Sequence, residues 1–128
     1  REASKSIGIA LEQGKHDCIT FYDELGIIKL LSRMSKSEEA RELCAEYIQK
    51  LRAYDEAHGT NLLQTLQTVV SCEWNLKKAS EQLYIHYNSM KYRYRRICQV
   101  LDKRLDDADE KLNMEIALKL DAMRGSRL

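Results

Sequence analysis

Apolar residues recur at helical spacing through most of this chain. Three stripes stand out, each repeating every three or four residues as one face of an amphipathic helix does. They consist of Leu43, Tyr47, Leu51 and Tyr54; of Leu62, Leu66, Val69 and Val70; and of Leu112, Ile116, Leu120 and Met123. The pattern predicts about five helices between residues 37 and 124, with two of them near 76–84 and 88–101.

Polar residues at the ends of these stripes support the same boundaries. Ser35 or Ser37 can cap the helix that ends at Gly59, and Thr60 or Asn61 can cap the next one. Asn75 has the same role before residue 76, and Asp106 with Asp107 places negative charge at the start of the last helix. We therefore expect an all-α helical bundle over residues 35–128.

The first 34 residues have a different pattern. Residues 3–13 predict a short helix ended by Gly14, residues 18–22 (CITFY) an extended piece, and residues 23–34 another helix with Leu25, Ile28 and Leu31 on one face. We interpret residues 1–34 as a short α/β remnant: the tail of a preceding domain and a connector. The chain starts at Arg1 rather than at a methionine, so we expect it to be a piece of a longer protein.

Composition excludes several classes of protein. The chain has 128 residues, no proline and only five glycines, which favours helices. No apolar run approaches the roughly 20 residues of a membrane span, and no signal peptide is visible. The four cysteines are isolated and lack the spacing of a zinc site or disulfide framework, so we expect buried thiols in a reducing cytoplasm. No catalytic motif occurs, so we expect neither an enzyme nor a cofactor.

Positive charge is concentrated around the two central helices. Residues 75–105 contain eight basic and two acidic side chains, against a net charge of +1 for the whole chain. In the first of these helices Ala79 and Leu83 face inward, and Ile85 fills the turn. In the second, Met90, Tyr94, Ile97 and Leu101 share one side of a helical wheel. Two short helices joined by a tight turn predict a helix-turn-helix.

The opposite side of the second helix is polar, cationic and aromatic. Amide and basic side chains there suit base edges in the DNA major groove, and hydroxyls and lysines suit phosphates. We assign base contacts to Asn88, Lys91, Tyr92 and Arg95. We assign backbone contacts to Asn75, Lys77, Lys78, His86, Ser89 and Arg96. For His86 a second role, capping the helix, is equally open.

A family resemblance appears at these residues. The sequence from His86 to Arg93, H-x-N-S-M-x-Y-R followed by RRI, resembles the C-terminal helix-turn-helix of PucR/CdaR-type bacterial transcriptional regulators, whose usual pattern is H-R-N-T-L-R-Y-R-L. The upstream segment LLQTLQTVVSCEWNLKKASEQL and the downstream segment LDDADEKLNMEIALKL also resemble that family. A weaker resemblance to Fis-type helix-turn-helices covers residues 75–94. Tyr87 stands where the family commonly has Arg, so we add it to the base contacts and expect different preferred bases.

The resemblance implies a sequence-specific DNA-binding output domain. A recognition helix at about 88–101 would enter the major groove of a double-stranded operator, after a GGDEF-like domain. It also implies a homodimer or higher oligomer, possible contact with RNA polymerase, and a cytoplasmic, nucleoid-associated protein without membrane attachment. Two alternatives stay open from the residues alone: a helical interaction or oligomerisation module, and an RNA-binding helical domain.

Three further residues have more modest expected roles. We expect Trp74 to pack between helices and Cys98 to lie at the boundary of the core. Tyr84 occupies a turn position that is often glycine in other helix-turn-helices, and we expect it to pack into the core.

Overall fold

The computed structural model describes residues 26–125, and all regular structure among them is helical. Residues 26–34 form a helical leading segment. The helices that follow are α1 (Glu38–Cys44), a wider π-type turn (Ala45–Gln49), α2 (Lys50–His58), α3 (Leu62–Ser71), α4 (Leu76–Gln82), α5 (Tyr87–Leu101) and α6 (Ala108–Arg124). The all-α bundle is confirmed. The predicted helix at 3–13 and extended piece at 18–22, and with them the α/β remnant, lie outside the described residues.

One apolar core holds these helices together. Helices α2, α3 and α4 pack against α5, α1 and the π-type turn pack against α6, and the side chains at the centre have no solvent exposure. These side chains include Ile48, Leu51, Leu66, Met90, Ile97 and Leu101. Burying a side chain of this size stabilises the fold by roughly 1.5–3 kcal/mol relative to leaving it exposed. Two of the three stripes in the sequence, those of residues 43–54 and 62–70, supply this core as predicted.

A second, smaller apolar cluster joins the leading segment to the bundle. Leu31 packs with Ala40, Cys44 and Leu120 at the far end of α6. The arginine fork of Arg52 contacts Asp121 there, at 2.9 and 3.3 Å. The predicted face of residues 23–34 is therefore correct at Leu31, whereas Ile28 remains 39% exposed and Leu25 lies outside the described residues.

The predicted inner face of α6 was partly wrong. Leu112 is 52% exposed, whereas Met114, Ala117 and Leu120 are buried. Apolar residues surround much of this helix, so spacing alone could not choose its inner face. The small Ala117 decides it: α1 approaches closely enough for the Cys44 thiol to donate to the Ala117 carbonyl, with Sγ and O 3.7 Å apart.

Helix caps follow the sequence at most ends. Ser37, not Ser35, caps α1 by accepting from the Ala40 N–H at 3.1 Å. Gly59 ends α2 in the left-handed conformation, with φ 66°. Asn75 caps α4 through its side chain, as predicted. Asp107, predicted only as negative charge at the start of α6, caps that helix by accepting from the Glu110 N–H.

The cap of α3 was predicted correctly in position but not in the side chain that makes the capping bonds. Asn61 occupies the cap position but makes no side-chain cap bond, and the Thr60 hydroxyl points elsewhere. The carboxylate of Asp55, in the preceding helix, accepts from the N–H groups of Leu62 and Leu63 at 2.8 and 3.0 Å. It also accepts from the Thr60 hydroxyl at 2.6 Å. A residue that is distant from the helix in sequence therefore satisfies the free donors at its N-terminus.

Removing the Asp55 carboxylate should weaken the fold. We expect Asp55→Ala to lower the free energy of unfolding by about 1–2 kcal/mol, because two backbone donors lose their acceptor. Neighbouring Glu56 is exposed and makes no such bonds among the described residues, so Glu56→Ala should change that free energy by less than about 0.5 kcal/mol. Denaturant unfolding of both variants checks this, and equal losses would show that Asp55 is not the cap.

Candidate nucleic-acid interface

Helices α4 and α5 form the predicted helix-turn-helix. Asn75 starts α4 by accepting from the Lys78 N–H at 3.0 Å. Ala79 is fully buried, which lets α5 approach α4 closely. Leu83 and Ile85 pack against the core from either end of the turn. The two helices therefore have a fixed relative orientation.

The turn itself depends on Tyr84. Its backbone is left-handed, with φ 57°. The Ile85 N–H then reaches back to the Ser80 carbonyl at 3.0 Å and the Tyr84 N–H to the Glu81 carbonyl at 3.2 Å, the two bonds of a Schellman motif. The predicted core role of Tyr84 was wrong, because this backbone conformation projects the side chain into solvent, where it is 94% exposed.

The inner side of α5 is buried along its length. Met90, Ile97 and Leu101 have no exposure, as predicted. Tyr94 is half-buried, and its hydroxyl donates to the Leu105 carbonyl at 3.1 Å. Burial raises the pKa of Tyr94 to about 12, so this phenol remains a neutral donor at physiological pH. The buried stripe and this bond fix the rotation of α5 about its own axis.

The outer side of α5 presents the five predicted base-contact residues to solvent. Tyr87 is 43% and Tyr92 56% exposed, and the side chains of Asn88, Lys91 and Arg95 are exposed as well. The Lys91 ammonium lies 5.0 Å from the centre of the Tyr87 ring, so the two side chains form a cation–π pair. Helix α5 contains no acidic residue. Its outer side is therefore a continuous surface of donors and positive charge.

The six predicted backbone contacts fall into two groups. Asn75, Lys77 and Lys78 are exposed at the start of α4, although the Asn75 side chain is occupied by its capping bond. His86, Ser89 and Arg96 lie along α5 or just before it. Of the two roles left open for His86, capping is made by the backbone: His86 occupies the N-cap position of α5 and its carbonyl accepts from the Met90 N–H at 3.0 Å. Its side chain is exposed and makes no cap bond.

Two of the basic side chains at residues 75–105 form ion pairs with carboxylates. Lys103 contacts Glu46 at 2.6 Å, and Arg104 contacts Asp106 at 3.2 Å. Lys77, Lys78, Lys91, Arg95 and Arg96 have no carboxylate partner among residues 26–125. These five cations lie on α4 and on the outer side of α5, and the sixth, Arg93, likewise has no carboxylate partner among these residues.

Sequence reasoning missed one basic residue of α5. Arg93 was left out of the candidate site, yet it is half-buried and its Nη1 donates to the Thr65 hydroxyl of α3 at 3.2 Å. On a helical wheel it lies between the buried Met90 and the outer cations. That boundary position was the available signal, but only the packing of α3 on α5 shows what the side chain contacts.

The part of the chain that the structure describes offers little other chemistry. It has no group of three metal-ligating side chains placed to bind an ion. No helix in it is long and apolar enough to cross a bilayer. Cys44 and Cys72 are buried and unpaired, and Cys98 is half-buried at the core boundary, as predicted. Burial raises the pKa of the Cys98 thiol, which favours its protonated form. Trp74 lies between helices, donating to Glu115 of α6 at 2.6 Å.

The family model of the PucR C-terminal helix-turn-helix domain matches residues 62–120, which span α3 to most of α6. Residues 62–120 form a PucR C-terminal helix-turn-helix domain. The resemblance found at residues 86–93 is thereby confirmed, and the domain belongs to the class of DNA-binding output domains of transcriptional regulators. This is a family of regulators rather than of enzymes.

Two relatives from Bacillus subtilis (strain 168) extend the similarity beyond the PucR domain itself. The DNA-binding transcriptional activator AdeR is 31% identical over 112 residues, which cover 85% of this chain and 25% of AdeR. The proline-responsive transcriptional activator PutR is 31% identical over 120 residues, 93% of this chain and 29% of PutR. The chain thus spans between a quarter and a third of the length of these relatives. No solved structure matches it.

Replacing Tyr84 in the turn of the PucR domain with glycine should not weaken the fold. Glycine removes the cost of about 1–2 kcal/mol that a left-handed backbone imposes on a residue with a side chain. Its greater conformational entropy in the unfolded state cancels about 0.5–1 kcal/mol of that gain. We expect the free energy of unfolding of Tyr84→Gly to rise by up to about 1 kcal/mol. The control Tyr92→Gly, also exposed but within α5, should lose about 1 kcal/mol. Denaturant unfolding compares the two, and a loss in Tyr84→Gly as large as the control's would restore a packing role for Tyr84.

Proposed function

We propose that the domain binds a double-stranded DNA operator sequence-specifically, with the N-terminal half of α5 in the major groove. The observation that carries this proposal is the contrast between the two sides of α5. Its inner side is locked into the core by Met90, Ile97 and Leu101, whereas its outer side exposes amide, phenol and cationic groups without any carboxylate. A rigidly held helix of this kind can present several side chains to base edges at once.

We assign the reading of bases to Tyr87, Asn88, Lys91, Tyr92 and Arg95. Asn88 lies in the first turn of α5, where an inserted helix end reaches deepest, and its amide can bond both hydrogen-bonding atoms of adenine. Lys91 and Arg95 follow on later turns and can donate to guanine. The phenol of Tyr87 adds a hydrogen-bonding group where related domains commonly carry Arg, and Tyr92 keeps the tyrosine of the family pattern.

We assign contact with phosphates to the start of α4 and to the flank of α5. Lys77 and Lys78 are exposed and carry unpaired positive charge where the first helix of a helix-turn-helix crosses the DNA backbone. Asn75, His86, Ser89 and Arg96 complete this set. Such contacts carry little sequence information, but they orient the domain on the duplex and make binding depend on salt.

Duplex DNA suits this geometry better than double-stranded RNA. The major groove of B-DNA admits an α-helix, whereas the major groove of A-form RNA is deep and narrow. A projecting helix with base-reading groups near its N-terminus therefore favours DNA over the RNA-binding alternative.

We further propose that the whole protein acts as a dimer or higher oligomer on two half-sites. A single recognition helix makes few base contacts, and two-fold symmetry doubles them. Both relatives are activators by name, which supports activation and contact with RNA polymerase as the output. A protein of this kind would reside in the cytoplasm, at the nucleoid, and residues 1–34 would connect the DNA-binding part at 35–128 to a preceding domain.

The assignment of base-reading and phosphate-binding residues predicts two different mutant phenotypes. We expect Asn88→Ala to cost about 1–3 kcal/mol on the cognate site, because an amide that bonds a base edge is lost, and to cost little on random DNA. Lys78→Ala should weaken binding to both duplexes alike and reduce the slope of log K against log salt by about 0.9. Titrations of both duplexes at several salt concentrations measure these effects.

The controls separate DNA contacts from damage to the fold. Asn88 and Lys78 are exposed, so the Asn88→Ala and Lys78→Ala variants should unfold at nearly the wild-type temperature. Met90→Ala removes a buried side chain and should lower the free energy of unfolding by roughly 2–5 kcal/mol. Equal losses of Asn88→Ala on the two duplexes would contradict its base-reading role. If neither exposed variant changes duplex binding, the interaction-module alternative replaces this proposal.

The dimer proposal makes its own prediction. An operator with two half-sites one helical turn apart should bind the full-length protein far more tightly than a single half-site, because both recognition helices then engage together. Light scattering of the full-length complex should give two or more copies per operator. A single copy on the intact operator would contradict the proposal.

A further inference from the structure

A groove of about 620 Å³ runs beside α5, between that helix and the loop that leads into α3. Its polar lining carries two positive charges and no negative one. The lining residues that matter here are Asn61, Asn88, Ser89, Tyr92, Arg93 and Arg96. The nearby Asp55 does not line the groove, and its carboxylate is occupied by donors from the loop and from α3.

Arg93 is the cation that the fold holds in place at this groove. Its Nη1 donates to the Thr65 hydroxyl at 3.2 Å, and that hydroxyl in turn donates to the Asn61 carbonyl at 2.8 Å. Thr65 is only 1% exposed, so the anchor point belongs to the rigid core. No carboxylate contacts Arg93 within the described residues. Most of the five N–H donors of its guanidinium are therefore available to an anion.

The position of this cation on α5 fits one strand of a bound duplex. Ser89, Arg93 and Arg96 follow one edge of the helix over about 10 Å, because each residue adds about 1.5 Å along the axis. Lys91 and Arg95 lie on the opposite edge, where they line a second groove. The base-reading Asn88 lies between the two edges. A helix in the major groove has a sugar–phosphate strand on each side, and the edge formed by Ser89, Arg93 and Arg96 is placed to face one of them.

We propose that the Arg93 groove holds the phosphodiester backbone of one DNA strand, with Arg93 as the anchoring cation and Thr65 as the residue that positions it. This inference rests on the proposed DNA binding of the domain. Arginine suits the role because its planar fork can bond two phosphate oxygens together. The loop at residues 59–62 forms the far wall of the groove and thereby extends the DNA-binding surface beyond α4 and α5.

The test measures binding of the full chain to a random-sequence duplex over a range of salt concentrations. We expect Arg93→Gln to weaken binding roughly 10-fold at low salt, because a charged hydrogen bond is lost. The slope of log K against log salt should fall by about 0.9, the value for one phosphate contact. Lys119→Gln is the matched control: it removes the same charge from an exposed position on α6 and should leave that slope unchanged.

The Thr65→Val substitution tests whether Thr65 positions the Arg93 side chain, and it leaves the charge of Arg93 in place. The substitution keeps the shape of the buried side chain but removes the hydroxyl that holds the guanidinium. The charge remains, so the salt slope should match that of the wild type, while affinity falls about 2- to 10-fold because the freed side chain must be ordered on binding. Thermal unfolding of each variant shows how much of any change comes from the fold.

Three results would contradict the proposed role of the Arg93 groove, in part or as a whole. If Arg93→Gln lowers the unfolding temperature but keeps the wild-type salt slope, while Lys78→Ala lowers that slope, Arg93 only ties α5 to α3 and the groove inference fails alone. If Thr65→Val binds as tightly as the wild type, Thr65 does not position Arg93. If the wild-type chain does not bind duplex DNA, the proposed function fails, and the groove inference with it.

Discussion

The structure depends on the burial of one side of α5. Met90, Ile97 and Leu101 are sealed in the core, and the Tyr94 hydroxyl is bonded to the Leu105 carbonyl. Close packing of these side chains removes the freedom of the helix to rotate about its axis. The outer side therefore points one way only. A surface that reads bases needs such a fixed platform, because displacement of the helix would misplace every contact at once.

Around this platform the fold distributes charge unevenly. Lys103 and Arg104 are paired with carboxylates, whereas the cations on α4 and along the outer side of α5 have none among residues 26–125. A modest net charge thus conceals a strongly positive face. For a DNA-binding domain this arrangement concentrates the attraction to phosphate where the helix must dock, while the rest of the surface attracts DNA only weakly.

The loop between α2 and α3 contributes both to the stability of the fold and to the positively charged face. Asp55 caps α3 from the preceding helix, and the same short loop forms one wall of the groove beside Arg93. Thr65, one turn into α3, holds both the loop carbonyl of Asn61 and the Arg93 guanidinium. The helix that precedes the helix-turn-helix therefore supports the candidate interface directly as well as through the core.

The helices, the helix-turn-helix and the outer side of α5 could all be predicted from the amino-acid sequence. These follow from local rules: the spacing of apolar residues, the caps at Ser37 and Asn75, the acidic residues before α6, and the clustering of basic residues. The remaining features depend on contacts between helices. Tyr84 projects into solvent because a left-handed turn directs it outward, Leu112 is exposed because Ala117 admits α1 on another side of α6, and Asp55 caps a helix to which it does not belong. The Arg93 guanidinium reaches the Thr65 hydroxyl because α3 packs against α5. Each of these outcomes depends on which surfaces meet, and residues distant in the chain decide that together, whereas periodicity reports only on neighbours.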